Sequence, residues 1–162
     1  MMVLALVVGA ILFQPWLLFV DTEVDDEIPV AATTSTSGAP EASAAPRLLS
    51  SGRFIGHEHP TSGRVTVIEQ PDGRRVVALE NLDTTSGPDV HVWLSAAPVR
   101  SGFAGWRDAG GAARVDLGEI KGNKGNQVYE IPGDVDLAQF RAVVLWCVRF
   151  SVSFGAAELR IS

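Results

Sequence analysis

The chain has 162 residues, room for one ordinary domain and an appendage, and 46% of them are apolar, enough to fill a core. A net charge of −6 excludes the usual nucleic-acid binder, which carries a basic face. The acidity is local: residues 21–50 hold Asp21, Glu23, Asp25, Asp26, Glu27 and Glu41 against Arg47 alone, whereas residues 51–162 hold 13 acids and 12 bases.

Residues 1–20, MMVLALVVGAILFQPWLLFV, carry no charged side chain. A helix of that length spans about 30 Å, the thickness of a bilayer's hydrocarbon core. Gln14 and Pro15 fall near its end, where a kink is tolerated, and Trp16 suits the interface. The alternative is a cleaved signal peptide, which calls for a basic start, a shorter apolar run and small residues at the cleavage site. Leu17-Leu18-Phe19-Val20 offers no such site. The expectation is therefore an uncleaved transmembrane anchor.

Residues 21–50 read as a linker, first acidic and then the Ser/Thr/Ala/Pro tract AATTSTSGAPEASAAP at 31–46, which buries no core and is expected to be disordered. Roughly thirty such residues reach on the order of 30 Å. Holding a domain clear of a membrane is their plain use. The domain at 51–162 is then expected outside the cytoplasm, in a single-pass protein of the cell membrane.

From Gly52 onward the texture is β. The strand candidates are residues 53–55, 64–69, 75–82, 90–96, 114–117, 127–131, 142–150 and 157–161. Turn signals separate most of them, the clearest being Pro71-Asp72-Gly73 between two alternating runs. Residues 136–140 suit one helical turn capped by Asp134 or Asp136. The pattern predicts an all-β domain, a sandwich or barrel of about eight short strands. Residues 142–148 show no alternation, so they are expected to form a central strand covered on both faces.

Familiar catalytic signatures are missing: no Gly-x-Ser-x-Gly elbow, no phosphate-binding glycine loop and no Cys-x-x-Cys pair. The doubled Lys-Gly-Asn at 121–126 suits a Gly-rich hairpin loop or a backbone anion nest. Cys147 is the one cysteine, so it makes no internal disulfide; outside the cytoplasm such a thiol is either sealed in the core or kept for chemistry. Free cysteine packs as a small hydrophobe, whereas reactivity needs exposure and a setting that favours thiolate. Arg149, two residues on, is the nearest source of positive charge.

The histidines are His57, His59 and His91, with Asp89 and His91 on one face of a strand. His59, His91 and Cys147 would supply nitrogen and sulfur ligands if they converged. Separate turn or surface histidines are the plainer reading, and no metal site is assigned. Trp93 and Trp146 read as core aromatics, or as an apolar wall beside a thiol or a flat cofactor.

Four segments carry a resemblance. They are His59-Pro60-Thr61-Ser62-Gly63; Leu79-Glu80-Asn81-Leu82-Asp83 with Gly87-Pro88-Asp89-Val90-His91-Val92-Trp93-Leu94-Ser95; Lys121-Gly122-Asn123-Lys124-Gly125-Asn126-Gln127 with Tyr129-Glu130-Ile131-Pro132; and Leu145-Trp146-Cys147-Val148-Arg149-Phe150-Ser151-Val152-Ser153-Phe154-Gly155. In this order and spacing they resemble the DM domain numbered thirteen, a family of electron-transfer domains, over nearly all of 51–162. The resemblance implies a β-rich extracytoplasmic module whose hallmark cysteine is Cys147. It also implies redox chemistry, either at a bare thiol or with Cys147 as a ligand to a prosthetic group such as haem. In the haem version His59 or His91 is the histidine opposite and Trp146 part of the wall. A lone thiol needs a partner to resolve it, so an envelope redox protein is the expected partner and a carrier or sensor the expected role. The alternative is a non-catalytic envelope adhesion or scaffold domain in which Cys147 is buried and inert.

Overall fold

The computed structural model describes residues 21–29 and 45–161. The expected anchor at 1–20 and most of the Ser/Thr/Ala/Pro tract lie outside the described residues. Among the described residues, no helix is long and apolar enough to cross a membrane. The described residues form ten strands: β1 (Glu23–Asp25), β2 (Arg47–Gly56), β3 (Ser62–Glu69), β4 (Arg75–Asp83), β5 (Val90–Ser95), β6 (Arg114–Glu119), β7 (Lys124–Ile131), β8 (Ala142–Cys147), β9 (Val152–Glu158) and β10 (Arg160–Ile161). They form one curled sheet, a half-barrel, in the order β1-β7-β4-β3-β2-β9-β8-β5-β6, with β10 beside β2. The expectation of an all-β domain holds, with more strands than the eight read from the sequence.

The curl turns on β2. Its first part, from Arg47 to Arg53, pairs with β3, and its end, from Phe54 to Gly56, pairs with β9. Apolar side chains from β3, β4 and β7 therefore face those of β5, β8 and β9 across one core that includes Val65, Leu79, Leu94 and Leu145. Closing a sheet on itself in this way buries one face of the strands that line the core.

β8 is the central strand that its unbroken apolar run predicts. All six residues are buried, and both edges are paired, to β5 and to β9. Val143, Leu145 and Cys147 point into the main core; Ala142, Val144 and Trp146 point outward into a second cluster with Trp93, Ala97 and Ala109. The segment between β5 and β6 covers that outer face through two 3-10 turns, Phe103–Trp106 and Asp108–Gly111, pinned by a bidentate Arg100 to Asp108 pair at 2.6 and 2.8 Å. Neither turn shows a sequence period, because each is a single turn. The expected turn near residue 136 is a 3-10 turn, Leu137–Gln139, with the Asp136 carboxylate accepting from the Ala138 amide.

Two expectations need correction. Residues 142–150 do not form one strand: β8 stops at Cys147, residues 148–151 turn, and β9 returns from Val152. The turn lacks the Gly, Pro or Asn that usually announces one, because Ser151 itself adopts a left-handed conformation, φ 53°. Nor is the acidic segment wholly linker. β1 lies parallel to β7, with Glu23 opposite Lys124 and Asp25 opposite Asn126. Asp21 pairs with Lys124 at 2.8 Å, Asp26 pairs with Lys121, and the Asn123 amide donates to Asp21 at 2.8 Å. The doubled Lys-Gly-Asn is thus the cradle for β1. A Cβ on Gly122 would meet the Thr22 carbonyl at 2.3 Å, and one on Gly125 the Val24 carbonyl at 2.0 Å, so only glycine lets β1 approach.

Candidate functional site

The end of the sheet where β5 begins, β8 ends and β9 begins collects most of the residues singled out by sequence. Cys147 is the last residue of β8, opposite Val90 of β5 and Val152 of β9. All three side chains belong to the main core, and Cys147 is 0% exposed. The peptide that follows is tied down by the Val148 amide, which donates to the Asp89 carbonyl at 2.9 Å. Immediately beyond, Val148 (42%) and Phe150 (43%) are exposed apolar side chains. The sulfur is sealed, yet one residue away from solvent.

The electrostatics keep it protonated. Burial pushes the Cys147 thiol above its ordinary value. The backbone N–H groups of Phe150 and Arg149 pull the other way, while the charges of Asp89 and Glu58 add to the rise. Arg149 reaches the sulfur through its amide: it lies in the turn, not on a strand face shared with Cys147. In this packing Cys147 is a thiol and a poor nucleophile.

His59, His91 and Cys147 do not converge. His91 sits opposite Trp146 and its side chain points to the outer face, whereas Cys147 and Val90 point inward. His59 follows β2, pairs with Glu58 at 2.5 Å and lays its ring on Phe154, with centroids 4.0 Å apart. Trp146 is 4% exposed and stacks on Trp93 at 5.0 Å, with the Arg114 guanidinium 4.3 Å from the Trp93 ring. Both tryptophans are core aromatics on the face opposite the thiol. A cavity of about 390 Å³ lies beside them, lined in part by Arg107, Arg114, Trp146 and Val148 and not by Cys147.

A haem bound through Cys147 needs an open slot beside the sulfur. The inner face there is filled by Val90, Leu145, Val152 and Phe154, all in the same core, and Trp146 is on the wrong side to wall such a slot. The residues present do not fit the group.

Two groupings escaped the sequence reading. His57 Nδ1 lies 2.8 Å from Ser153 Oγ. Burial depresses its pKa, against the opposing influence of the Arg100 carbonyl and the Asp108 charge. Around His91, Nδ1 faces Asp116 at 2.9 Å and Nε2 faces Asp89 at 3.1 Å, with Glu119 opposite it in register. Burial alone would lower the His91 pKa, but the Asp116 and Asp89 carboxylates overcome it and raise the value. Both groupings join residues from distant parts of the chain, and only the adjacency of Asp89 to His91 is visible in the sequence.

Fold and site together define a curled, mainly antiparallel β domain with a protonated thiol sealed beneath an exposed turn. The family model for the electron transfer domain DM13 matches residues 53–159, and the chain belongs to that family. Membership points to a redox or electron-transfer role. No curated protein and no solved structure matches the chain.

Proposed function

We propose that this domain is a gated thiol electron carrier, with Cys147 as its redox atom and residues 148–151 as its gate. The observation that carries this is the position of Cys147: fully sealed, last in its strand, and followed by an exposed turn held in a strained conformation at Ser151. Sub-global opening of such a turn costs less than unfolding the sheet. Once exposed, the sulfur gives up its proton and attacks a disulfide of an envelope redox protein. The partner's S–S bond breaks, a mixed disulfide with Cys147 forms, and the leaving thiolate takes up a proton. A thiol of a second, reduced protein then attacks the Cys147 sulfur and displaces the first partner as a dithiol. That second protein's other thiol releases Cys147, and two electrons have crossed the domain.

Thiol labelling of the purified full-length chain tests this. Gating gives slow labelling at a rate that low denaturant concentrations barely change. Labelling that occurs only at the global unfolding rate overturns the proposal. That result would favour the scaffold reading, which the sealing and the raised thiol pKa support.

The charge-free stretch 1–20 and the polar tract after it support a membrane tether with the domain outside the cytoplasm. An alkaline-phosphatase fusion after Ser162 is active in that arrangement, and an inactive fusion rules it out.

A further inference from the structure

We propose that Asp89, His91 and Glu119 bind one divalent first-row transition-metal cation on the outer face of β5 and β6. One ligand atom from each of the three lies within 4.8 Å of the others. The backbone is shaped to bring them there. Between the pairs His91 opposite Glu119 and Trp93 opposite Asp116, β6 carries two residues, Leu117 and Gly118, where β5 carries Val92 alone. This is a β-bulge, and Gly118 takes the positive φ of 112° that it requires. In a regular strand Asp116 and Glu119, three apart, would face opposite ways; the bulge turns both towards His91.

The ligand set also has its outer shell in place. Asp116 holds His91 Nδ1 at 2.9 Å and is itself fixed by the Gly118 amide, which donates to it at 2.9 Å. A carboxylate behind the imidazole sets its tautomer and leaves Nε2 as the ligating nitrogen. Nε2 is the atom that faces Asp89. Three carboxylates surround one imidazole here, so two negative charges remain even when the ring is protonated, which favours a dication. One nitrogen with two carboxylate oxygens suits zinc, manganese or ferrous iron better than the oxygen-only sites of calcium or the thiolate sites of cuprous copper. Glu119 is exposed, so a cation held there keeps coordination positions open to water.

This site lies on the face of the sheet opposite Cys147 and does not depend on the redox reading of that residue. The test is titration of the metal-free full-length chain with Co²⁺, read by its visible d–d bands, and with Zn²⁺ in competition. The expected result is one cation per chain, with affinity reduced about tenfold or more in His91→Gln and in Glu119→Gln, and also in Asp116→Asn. His59→Gln leaves it unchanged. Glu119 is exposed, so Glu119→Gln keeps the fold, and circular dichroism confirms this. Absence of saturable binding below millimolar metal overturns the proposal, as does equal binding by His91→Gln and Glu119→Gln; either outcome makes the cluster an ion-pair network only.

Discussion

At the scale of single residues, the sealed sulfur sets a cost on every substitution. Cys147 contacts the core on the inner face of β8, so Cys147→Ala loses packing and costs about 1 kcal/mol. Cys147→Ser puts a hydroxyl into the same apolar space and costs more, about 2 kcal/mol, a ranking that urea unfolding of the two variants checks. The raised thiol pKa has a sign that can be followed. The folded chain keeps the Cys147 proton above the value of 9.0 at which the unfolded thiol begins to lose it, so stability falls as pH rises past about 9. His57 behaves in the opposite sense. Its folded pKa lies below 6.5, so its contribution is present above 6.5 and is lost as pH falls beneath it and the unfolded imidazole takes up a proton. The raised pKa of His91 acts in the opposite sense over the same range, so the difference between variants is the measure: from pH 7 to pH 5 the urea midpoint of the native chain should fall relative to that of His57→Gln.

At the scale of elements, the β8 to β9 turn is the instructive case. The run at 142–150 reads as one strand because it contains no Gly, Pro or Asn to signal a turn. The chain turns anyway, since pairing β8 to β9 buries Val152, Phe154 and Ala157 in the common core, and Ser151 bears the left-handed strain. A left-handed L-residue costs on the order of 1–2 kcal/mol. Ser151→Gly removes that strain at some entropic cost and should stabilise the domain by about 0.5–1 kcal/mol, read as a raised urea midpoint. If the turn is the gate over Cys147, the same variant slows thiol labelling. β3, β4 and β5 were legible almost to the residue, because local alternation and turn chemistry such as Pro71-Asp72-Gly73 agree with the fold.

At the scale of the whole molecule, the domain starts earlier than its composition suggests. Leu48 and Ile28 pack on the cluster of Ile68, Val76 and Ala78, and Leu49 packs on the main core. A chain beginning at Ser51 loses these contacts together with β1 and the lysine pairs of Asp21 and Asp26 that flank it. It should therefore unfold about 2–4 kcal/mol more easily than one beginning at Asp21, as urea titration of the two would show. The acidic segment reads as linker because no basic partner lies near it in sequence; the partners of Asp26 and Asp21 lie about a hundred residues away at Lys121 and Lys124. What the sequence by itself determined was local: the β class, the central burial of β8, and the family those segments resemble. Alternation, apolar runs and turn residues act between near neighbours, so a linear reading recovers them. Tertiary structure alone decided which face of β8 holds the sulfur, that His91 points away from it, and that Asp116 and Glu119 join His91 across a bulge. Facing and strand partnership come from long-range register, which the closing of the sheet sets and no short window of sequence contains.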